Sequence, residues 1–498
     1  MNYTSTRGGA QASTAQAIAY GIALDGGLYT PTSIPTISLS ELSELAALSY
    51  SELAADILSR FMEDFSREEL YEYTRLAYDS GRFLRPGAGS HEAVGLSPLG
   101  KDEQLLELYF GPTAAFKDMA LQLMPRLLTA SLKKLGEQRS VCILVATSGD
   151  TGKAALEGFR DVEGTRIGVY FPDAGVSEIQ RMQMQTQEGG NVRVWAVRGN
   201  FDDCQSGVKE IFSRADVRAQ LDEAGVILSS ANSINWGRLA PQIVYYVWSY
   251  LQLCTRGEIV MGDKINVCVP TGNFGNILAA YLARRMGLPI GRLICASNAN
   301  NVLTDFIRTG VYDKNRHFYR TLSPSMDILI SSNVERLLYY ISGGDCAYVA
   351  QKMRCLAETG RYALEGAALE ELRRVFAAGF CDDEGTRRTI AEVFADNRRL
   401  IDPHTAVAVR VCRDLALPGM TVIASTASAY KFADGVLNAL GLGDADGFDA
   451  IDRLAHYTAS PIPVPLESLR GSAIRFDTVI DRDRMDEAAV DFCHTFDL

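Results

Sequence analysis

The pattern of apolar and polar positions changes character near residue 96. Before that point apolar residues recur at helical spacing behind three Ser-x-x-Glu pairs: Ser38 with Glu41, Ser49 with Glu52, and Ser66 with Glu69. In such a capping box the two side chains satisfy backbone N–H groups that a helix start leaves open, so each pair predicts a helix. Asp25-Gly26-Gly27, Pro31 and Pro35 mark turns and a loop between them. From about residue 96 short apolar runs alternate with amphipathic stretches. Residues 105–110, 140–146, 166–172, 191–197, 226–233, 265–270 and 420–425 read as strands, the fifth running on into a polar loop. Residues from 153 onward, 206–224, 236–253 and 277–286 read as helices. That alternation predicts parallel sheet with helices on both faces, an α/β fold. The stretch 296–400 reads as a mostly helical insertion around this core, and the tail after about 440, with its SPIPVP segment, as a surface wrap.

Candidate chemistry lies where the runs change type. After Leu105, Leu106, Leu108, Tyr109 and Phe110, the triplet Gly111-Pro112-Thr113 breaks the strand. Helical spacing then resumes from Asp118 through Met119, Leu123, Met124, Leu127 and Leu128. Lys117 therefore falls in the first turn of a helix, behind Phe116. A cation there meets the positive end of the helix dipole. The neutral amine is favoured, and that is the form that condenses with carbonyl groups. Taken alone, the stretch is equally compatible with a lysine in a surface loop.

Two strand–loop–helix junctions are rich in glycine: Thr147-Ser148-Gly149-Asp150-Thr151-Gly152 and Gly272-Asn273-Phe274-Gly275-Asn276. Backbone N–H groups and the helix dipole converge at such junctions, which makes each a candidate anion site. Each alone is also readable as a plain helix start with a turn glycine. Neither is a nucleotide motif. A P-loop needs Gly at 147 and Ser or Thr at 154, where Thr147 and Ala154 stand, and the second junction is not GxGxxG.

Composition narrows the partners. At 498 residues the chain has room for roughly three domains. A net charge of −12 argues against nucleic acid or an anionic membrane as partner, so an anionic ligand has to be held by local features. The ten cysteines form no CxxC pair and no Cys/His cluster at metal-ligand spacing, which points to no metal and to a reduced, cytoplasmic setting. MNYTSTRGG has no apolar signal core, and no run is long and apolar enough to span a bilayer. A monomer or small homo-oligomer is expected.

GPTAAFKDMALQ, around Lys117, resembles the cofactor-lysine segment of the threonine synthase family, which usually reads GPTxAFKDFALQ; Met119 stands at the usual aromatic. STRGG followed by GIALDGGLYTP resembles that family's N-terminal signature. NSINWGRLAPQIVYY (232–246) is similar to its NSINxxRxxxQxxYY segment, and SPSMDILISSNVER (323–336) and IDPHTAVA (401–408) also match. STASAYKF (425–432) departs from the usual STAHPAKF, losing the His and Pro and keeping Thr426 and Lys431-Phe432. The resemblance covers nearly the whole chain.

It implies a fold type II pyridoxal 5'-phosphate (PLP) enzyme, tryptophan synthase β-like, with two open parallel-sheet lobes. The implied division is a helical N-terminal domain at 1–95, a PLP-binding catalytic core at 96–440 and a C-terminal tail at 441–498 packed on the core. Within the core the small lobe would span about 140–225 and the helical insertion about 296–400. Lys117 is implied as the cofactor-bearing and catalytic lysine. Gly272, Asn273, Phe274, Gly275 and Asn276 would hold the cofactor phosphate. Asp150 would lie against the ring, with Thr426 at the ring nitrogen, and Ser148, Gly149 and Thr151 would face the substrate carboxylate.

Asn235 and Arg238, at i and i+3 on a helix start, share a face and are assigned to the substrate phosphate. The alternative is that Arg238 caps or pairs structurally. Ser323, Ser325, Asp327 and His404 are polar candidates without fixed roles, and a structural histidine is as good a reading of His404 as an acid–base one. The implied reaction is conversion of O-phospho-L-homoserine and water to L-threonine and phosphate. A fold type II dehydratase or phospholyase releasing a 2-oxo acid is the alternative. It shares the lysine and both loops but has no need of the N-terminal signature or the NSINWGR segment.

Overall fold

Two open sheets carry the chain in the computed structural model, which describes residues 1–9, 11–86, 93–147, 149–174 and 176–495. The larger has six strands in the order Phe376–Phe380, Ile290–Ser297, Ile265–Pro270, Thr421–Ser425, Glu103–Glu107 and Gly95–Gly100. The smaller has five: Val479–Ile480, Val192–Val197, Thr165–Pro172, Ser140–Ala146 and Val226–Ser229. Helices cover both faces, and the inner strands are buried and largely apolar for that reason. Every residue of Ile265–Pro270 and of Thr165–Pro172 is buried.

Within these two sheets neighbouring strands run parallel, as the alternation predicts, except for Gly95–Gly100 against Glu103–Glu107. Only Lys101 and Asp102 join those two, too few for a crossover, so the pair is an antiparallel hairpin.

Three expectations are corrected. The stretch 296–400 is not purely a helical insertion: Phe376–Phe380 pairs in parallel with Ile290–Ser297 and adds an edge strand to the large sheet. Its sequence, FAAGF, hides this, because small residues suffice where one flank is open. The tail does more than wrap: Val479–Ile480 extends the small sheet. The helix Met485–His494 then buries Met485, Ala489, Phe492 and Cys493 against Cys142, Leu144, Tyr170 and Trp195. Finally, the single helices expected at 206–224 and 236–253 are broken, into Phe201–Ser213 with Ala215–Glu223 and into Trp236–Leu239 with Pro241–Thr255. Pro241, which lacks an N–H, stands at the second break.

The three capping boxes form as predicted, opening the helices Leu39–Leu45, Tyr50–Ser59 and Arg67–Tyr78. A fourth, Ser13 with Gln16, opens Thr14–Tyr20. The N-terminal signature is a docking device. Ser5 Oγ donates to Asp25 Oδ1 at 2.6 Å, and a Cβ on Gly27 would lie 2.1 Å from that hydroxyl, so the turn accepts only glycine. Thr6 Oγ1 and the Arg7 guanidinium then converge on Glu335, at 2.5 Å and at 2.9 and 2.8 Å.

Next to Glu335, the fully buried Arg336 donates to the Tyr29 carbonyl (2.9 and 2.8 Å), the Ile234 carbonyl (2.5 Å) and Asn333 Oδ1 (2.6 Å). One side chain thus ties the N-terminal unit to the loop before Asn235 and to the loop holding Asn333. Arg336→Ala leaves three acceptors, two of them buried and the Ile234 carbonyl partly buried, without that donor. At about 1 kcal/mol or more for each, it is expected to lower stability by at least about 3 kcal/mol in urea unfolding.

Candidate active site

The C-terminal edge of the large sheet gathers the site. Glu103–Glu107 and Thr421–Ser425 are paired in register, so the segments that follow them leave side by side. Phe116 N donates to Thr426 O at 2.8 Å and Ser428 N to Ala114 O at 3.0 Å. The segment carrying Lys117 and the segment carrying Thr426, predicted for the ring nitrogen, are thereby paired side by side. Lys117 precedes the helix Asp118–Leu121, as its position behind the strand requires.

Lys117 Nζ is buried, 3.4 Å from Asp150 Oδ2, 3.2 Å from Ser325 Oγ and 5.6 Å from the centre of the Phe116 ring. Burial pulls its pKa below the ordinary lysine value. The Asp150 charge opposes that, while the charges of Lys431 and Arg238 add to it. Burial works against the charge on Asp150 too, yet Lys431 and Lys117 outweigh it and hold the carboxyl well below the usual range.

Asp150 belongs to the first glycine-rich junction and opens the helix Asp150–Phe159. Thr147 Oγ1 closes the turn by accepting the N–H of Gly149 and Gly152, both at 3.0 Å. Gly149 has φ +149°, and a Cβ there would lie 2.5 Å from Gln180 Nε2. Thr151 stands half-buried on the first helical turn. Ser148 lies outside the described residues.

The second junction opens the helix Gly275–Met286, whose start has no side-chain cap. Ser331 Oγ donates to the Gly272 carbonyl at 2.7 Å, and Asn333 N and Nδ2 donate to the Asn273 carbonyl at 3.1 Å. In a trans peptide the N–H points opposite the C=O, so the amides of Asn273 and Phe274 face away from residues 331–333. Phe274 adopts a left-handed φ of 63°, and its ring packs 5.7 Å from that of Phe376. A Cβ on Gly272 would lie 2.6 Å from the Ser325 carbonyl. Asn276 Oδ1 accepts from Tyr245 Oη at 2.7 Å and from Tyr246 Oη, while its buried Nδ2 has no partner. An uncapped helix start, outward amides and an orphaned amide donor fit the phosphate of a cofactor.

Arg238 is buried, donates Nη1 to the Ala231 carbonyl at 2.7 Å and leaves Nε without a partner. No carboxylate is paired with it among the described residues. Burial lowers its pKa to about 10. A buried guanidinium without a counterion is chemically suited to an anion. The helix face expected to be shared by Asn235 and Arg238 does not form. Asn235 caps the helix Trp236–Leu239: Oδ1 accepts the Gly237 N–H at 2.8 Å and Nδ2 donates to the Ile18 carbonyl at 2.9 Å. At a helix cap the side chain folds back on the backbone rather than pointing along the helix face with residue i+3.

The candidates without assigned roles form the floor. Asp402 Oδ2 accepts His404 Nδ1–H at 2.6 Å, which leaves Nε2 to accept the Ser325 N–H at 3.3 Å. Asp327 gathers Asn298, Asn300 and Thr321 on its carboxylate at 2.7 to 3.0 Å, and Asn298 also donates to Ser323 Oγ at 3.0 Å. These bonds hold the loop that delivers Ser325 Oγ between Lys117 and Asp150. Lys431, Gln180 and Asp402 belong to the network but were not among the predicted site residues. Lys431 sat in the retained KF pair and Asp402 before Pro403, a helix-start signal; Gln180 carried no signal.

Architecture and site define a fold type II PLP-dependent enzyme. Residues 95–426 match the family described as pyridoxal-phosphate dependent enzyme, and residues 2–78 that described as threonine synthase N terminus. The chain is 41% identical over 464 residues to a threonine synthase of Pseudomonas aeruginosa, covering 90% of this chain and 92% of that one. PLP-bound threonine synthase from Brucella melitensis superposes with a TM-score of 0.88 at 36% identity over 99% of both chains. The yeast threonine synthase structure gives 0.87 at 32% identity over 98% of both. The chain belongs to the threonine synthase family and is a PLP-dependent lyase. No helix among the described residues is long and apolar enough to cross a membrane.

Proposed function

We propose that the protein converts O-phospho-L-homoserine and water to L-threonine and phosphate. The observation that carries this reading is a buried lysine with an uncapped glycine-rich helix start and a buried guanidinium that has no carboxylate partner in the same site region. The Gly272–Asn276 loop suits the cofactor phosphate. Arg238, whose charge reaches Lys117, remains for a second phosphate that a simple dehydratase would not need.

When bound, PLP supplies an electron sink for charge developing at the substrate's α- and β-carbons. Lys117 is the amine to which it attaches. When it is not holding the cofactor, Lys117 Nζ would take the Cα proton and then the Cβ proton, and its burial favours the neutral, basic form of the amine. Ser325 Oγ steadies Nζ, and Asp150 supplies the opposing charge when Nζ carries a proton. Thr426 serves the ring nitrogen as a neutral partner. The amides from Gly149 to Thr151 serve the substrate carboxylate. Arg238 would hold the phosphate leaving from Cγ; a proton is then delivered to Cγ, water gives its OH to Cβ and its proton to the departing phosphate, and a proton returns to Cα, all within a site closed to bulk water.

Residues 1–95 act as a brace on the catalytic core at 96–440, and residues 441–498 complete the small lobe. The ten cysteines are free thiols, in keeping with a reducing, cytoplasmic setting. We expect a monomer or small homo-oligomer.

The test is substrate choice. PLP-loaded protein is expected to form threonine from O-phospho-L-homoserine and little 2-oxo acid from L-threonine or O-phospho-L-serine. Rapid 2-oxo acid formation from L-threonine, with no threonine from phosphohomoserine, would favour the dehydratase reading.

A further inference from the structure

Two lysines share one carboxylate beside the reacting amine. Lys431 is fully buried. Its Nζ lies 2.7 Å from Asp150 Oδ1 and 3.0 Å from the Thr113 carbonyl. Gln180 Nε2 donates to the same Oδ1 at 3.1 Å. Asp150 thus has one oxygen occupied by Lys431 and Gln180, and it offers the other to Ser325 Oγ at 3.3 Å and to Lys117 Nζ at 3.4 Å. The shorter ion pair is the one with Lys431. We propose that Lys431 is a positioning residue for Lys117: by holding Asp150 it fixes that carboxylate and denies Lys117 an exclusive counterion, so that less of the Lys117 amine is locked in an ion pair and more of it is free to react.

The other charged groups around this cluster have partners elsewhere or add to the effect. Asp118, in the turn that follows Lys117, accepts the N–H and hydroxyl of Thr113 at 2.8 and 2.7 Å, and burial pushes its pKa up to about 6. His404, behind Ser325, is bound to Asp402. Lys153, one turn beyond Asp150, donates to Gln187 at 2.6 Å and lies 3.6 Å from Glu157. Arg238 adds further positive charge. Asp150 is therefore the carboxylate for which Lys117 and Lys431 compete. Thr113 links the two lysines' surroundings: its carbonyl holds Lys431 while its N–H and hydroxyl hold Asp118, on the turn that begins at Lys117.

The sign of the effect follows. Removing the Lys431 charge takes away a repulsion and leaves Asp150 to Lys117 alone, so the Lys117 pKa rises. Removing the Asp150 charge takes away an attraction, and the pKa falls. A purely structural network would move both variants the same way or neither.

The inference rests on Lys117 being the amine that takes PLP, and the experiment separates the two. Apo-protein is recombined with PLP across a pH series. The rate of appearance of the visible band gives the midpoint at which Lys117 becomes reactive, and circular dichroism checks folding. Lys431→Met is expected to move that midpoint up by about one unit or more, on the scale of a charge partner at this distance. Lys431→Arg is expected to restore it to near the wild-type value, and Asp150→Asn to move it down. Should the methionine variant not fold, Lys431→Gln, which keeps a donor for Thr113, is expected to shift the same way. If wild type forms a band but the lysine variants keep its midpoint, or if Asp150→Asn shifts upward with them, the positioning role is overturned. If wild-type Lys117 takes up no PLP, the reading of Lys117 itself fails.

Discussion

Lys117→Ala is expected to lose both the visible PLP band and turnover. The site offers no substitute amine of the same kind. Lys431 Nζ is held by Asp150 and Thr113, and Lys153 Nζ by Gln187 and Glu157. Lys117 contacts only one oxygen of a shared carboxylate and a serine hydroxyl. Loss of a positioned base alone costs about a hundred- to ten-thousand-fold, and loss of the attachment point adds to it, so residual activity below about a thousandth of wild type is expected. Borohydride reduction of the wild type followed by peptide mapping is expected to find the label on Lys117. Label on Lys431 or Lys153 would contradict the assignment.

Arg238→Ala is expected to raise KM strongly and to divert part of the flux to 2-oxobutyrate. Losing a buried charged hydrogen bond costs on the order of 2 to 5 kcal/mol, which is well over a tenfold loss in kcat/KM. Arg238 also donates to the Ala231 carbonyl, so part of the loss in the alanine variant could come from the loop. Arg238→Gln keeps a donor there and removes the charge. If the charge holds the phosphate, glutamine behaves like alanine; if it does not, glutamine behaves like wild type and the phosphate is held elsewhere. The product ratio is the sharper readout, because only a retained intermediate can take up water at Cβ.

What the sequence discloses here is local. The capping boxes at Ser38, Ser49 and Ser66 are legible because both members lie three residues apart and answer to the same helix start. Lys117 and the two glycine-rich junctions are legible because each sits where a strand pattern gives way to a helix pattern. The rest depends on contacts between distant parts of the chain. Lys431 and Gln180 meet at Asp150 from segments that share no pattern with it. The Arg7–Glu335 pair joins the first residues to a helix beyond the middle of the chain. The face expected of Asn235 and Arg238 does not form, because the i, i+3 rule does not hold at a cap, where the Asn235 side chain bonds Gly237 and Ile18. The strand Phe376–Phe380 escaped because alanine and glycine give no period, and only its pairing with Ile290–Ser297 defines it.

The wild-type product balance tests the central claim most directly. PLP-loaded protein is incubated with O-phospho-L-homoserine, and threonine, inorganic phosphate and 2-oxobutyrate are quantified together. Threonine and phosphate in nearly equal amounts, with 2-oxobutyrate only in trace, is the predicted result. Phosphate matched by 2-oxobutyrate, with little threonine, would contradict it.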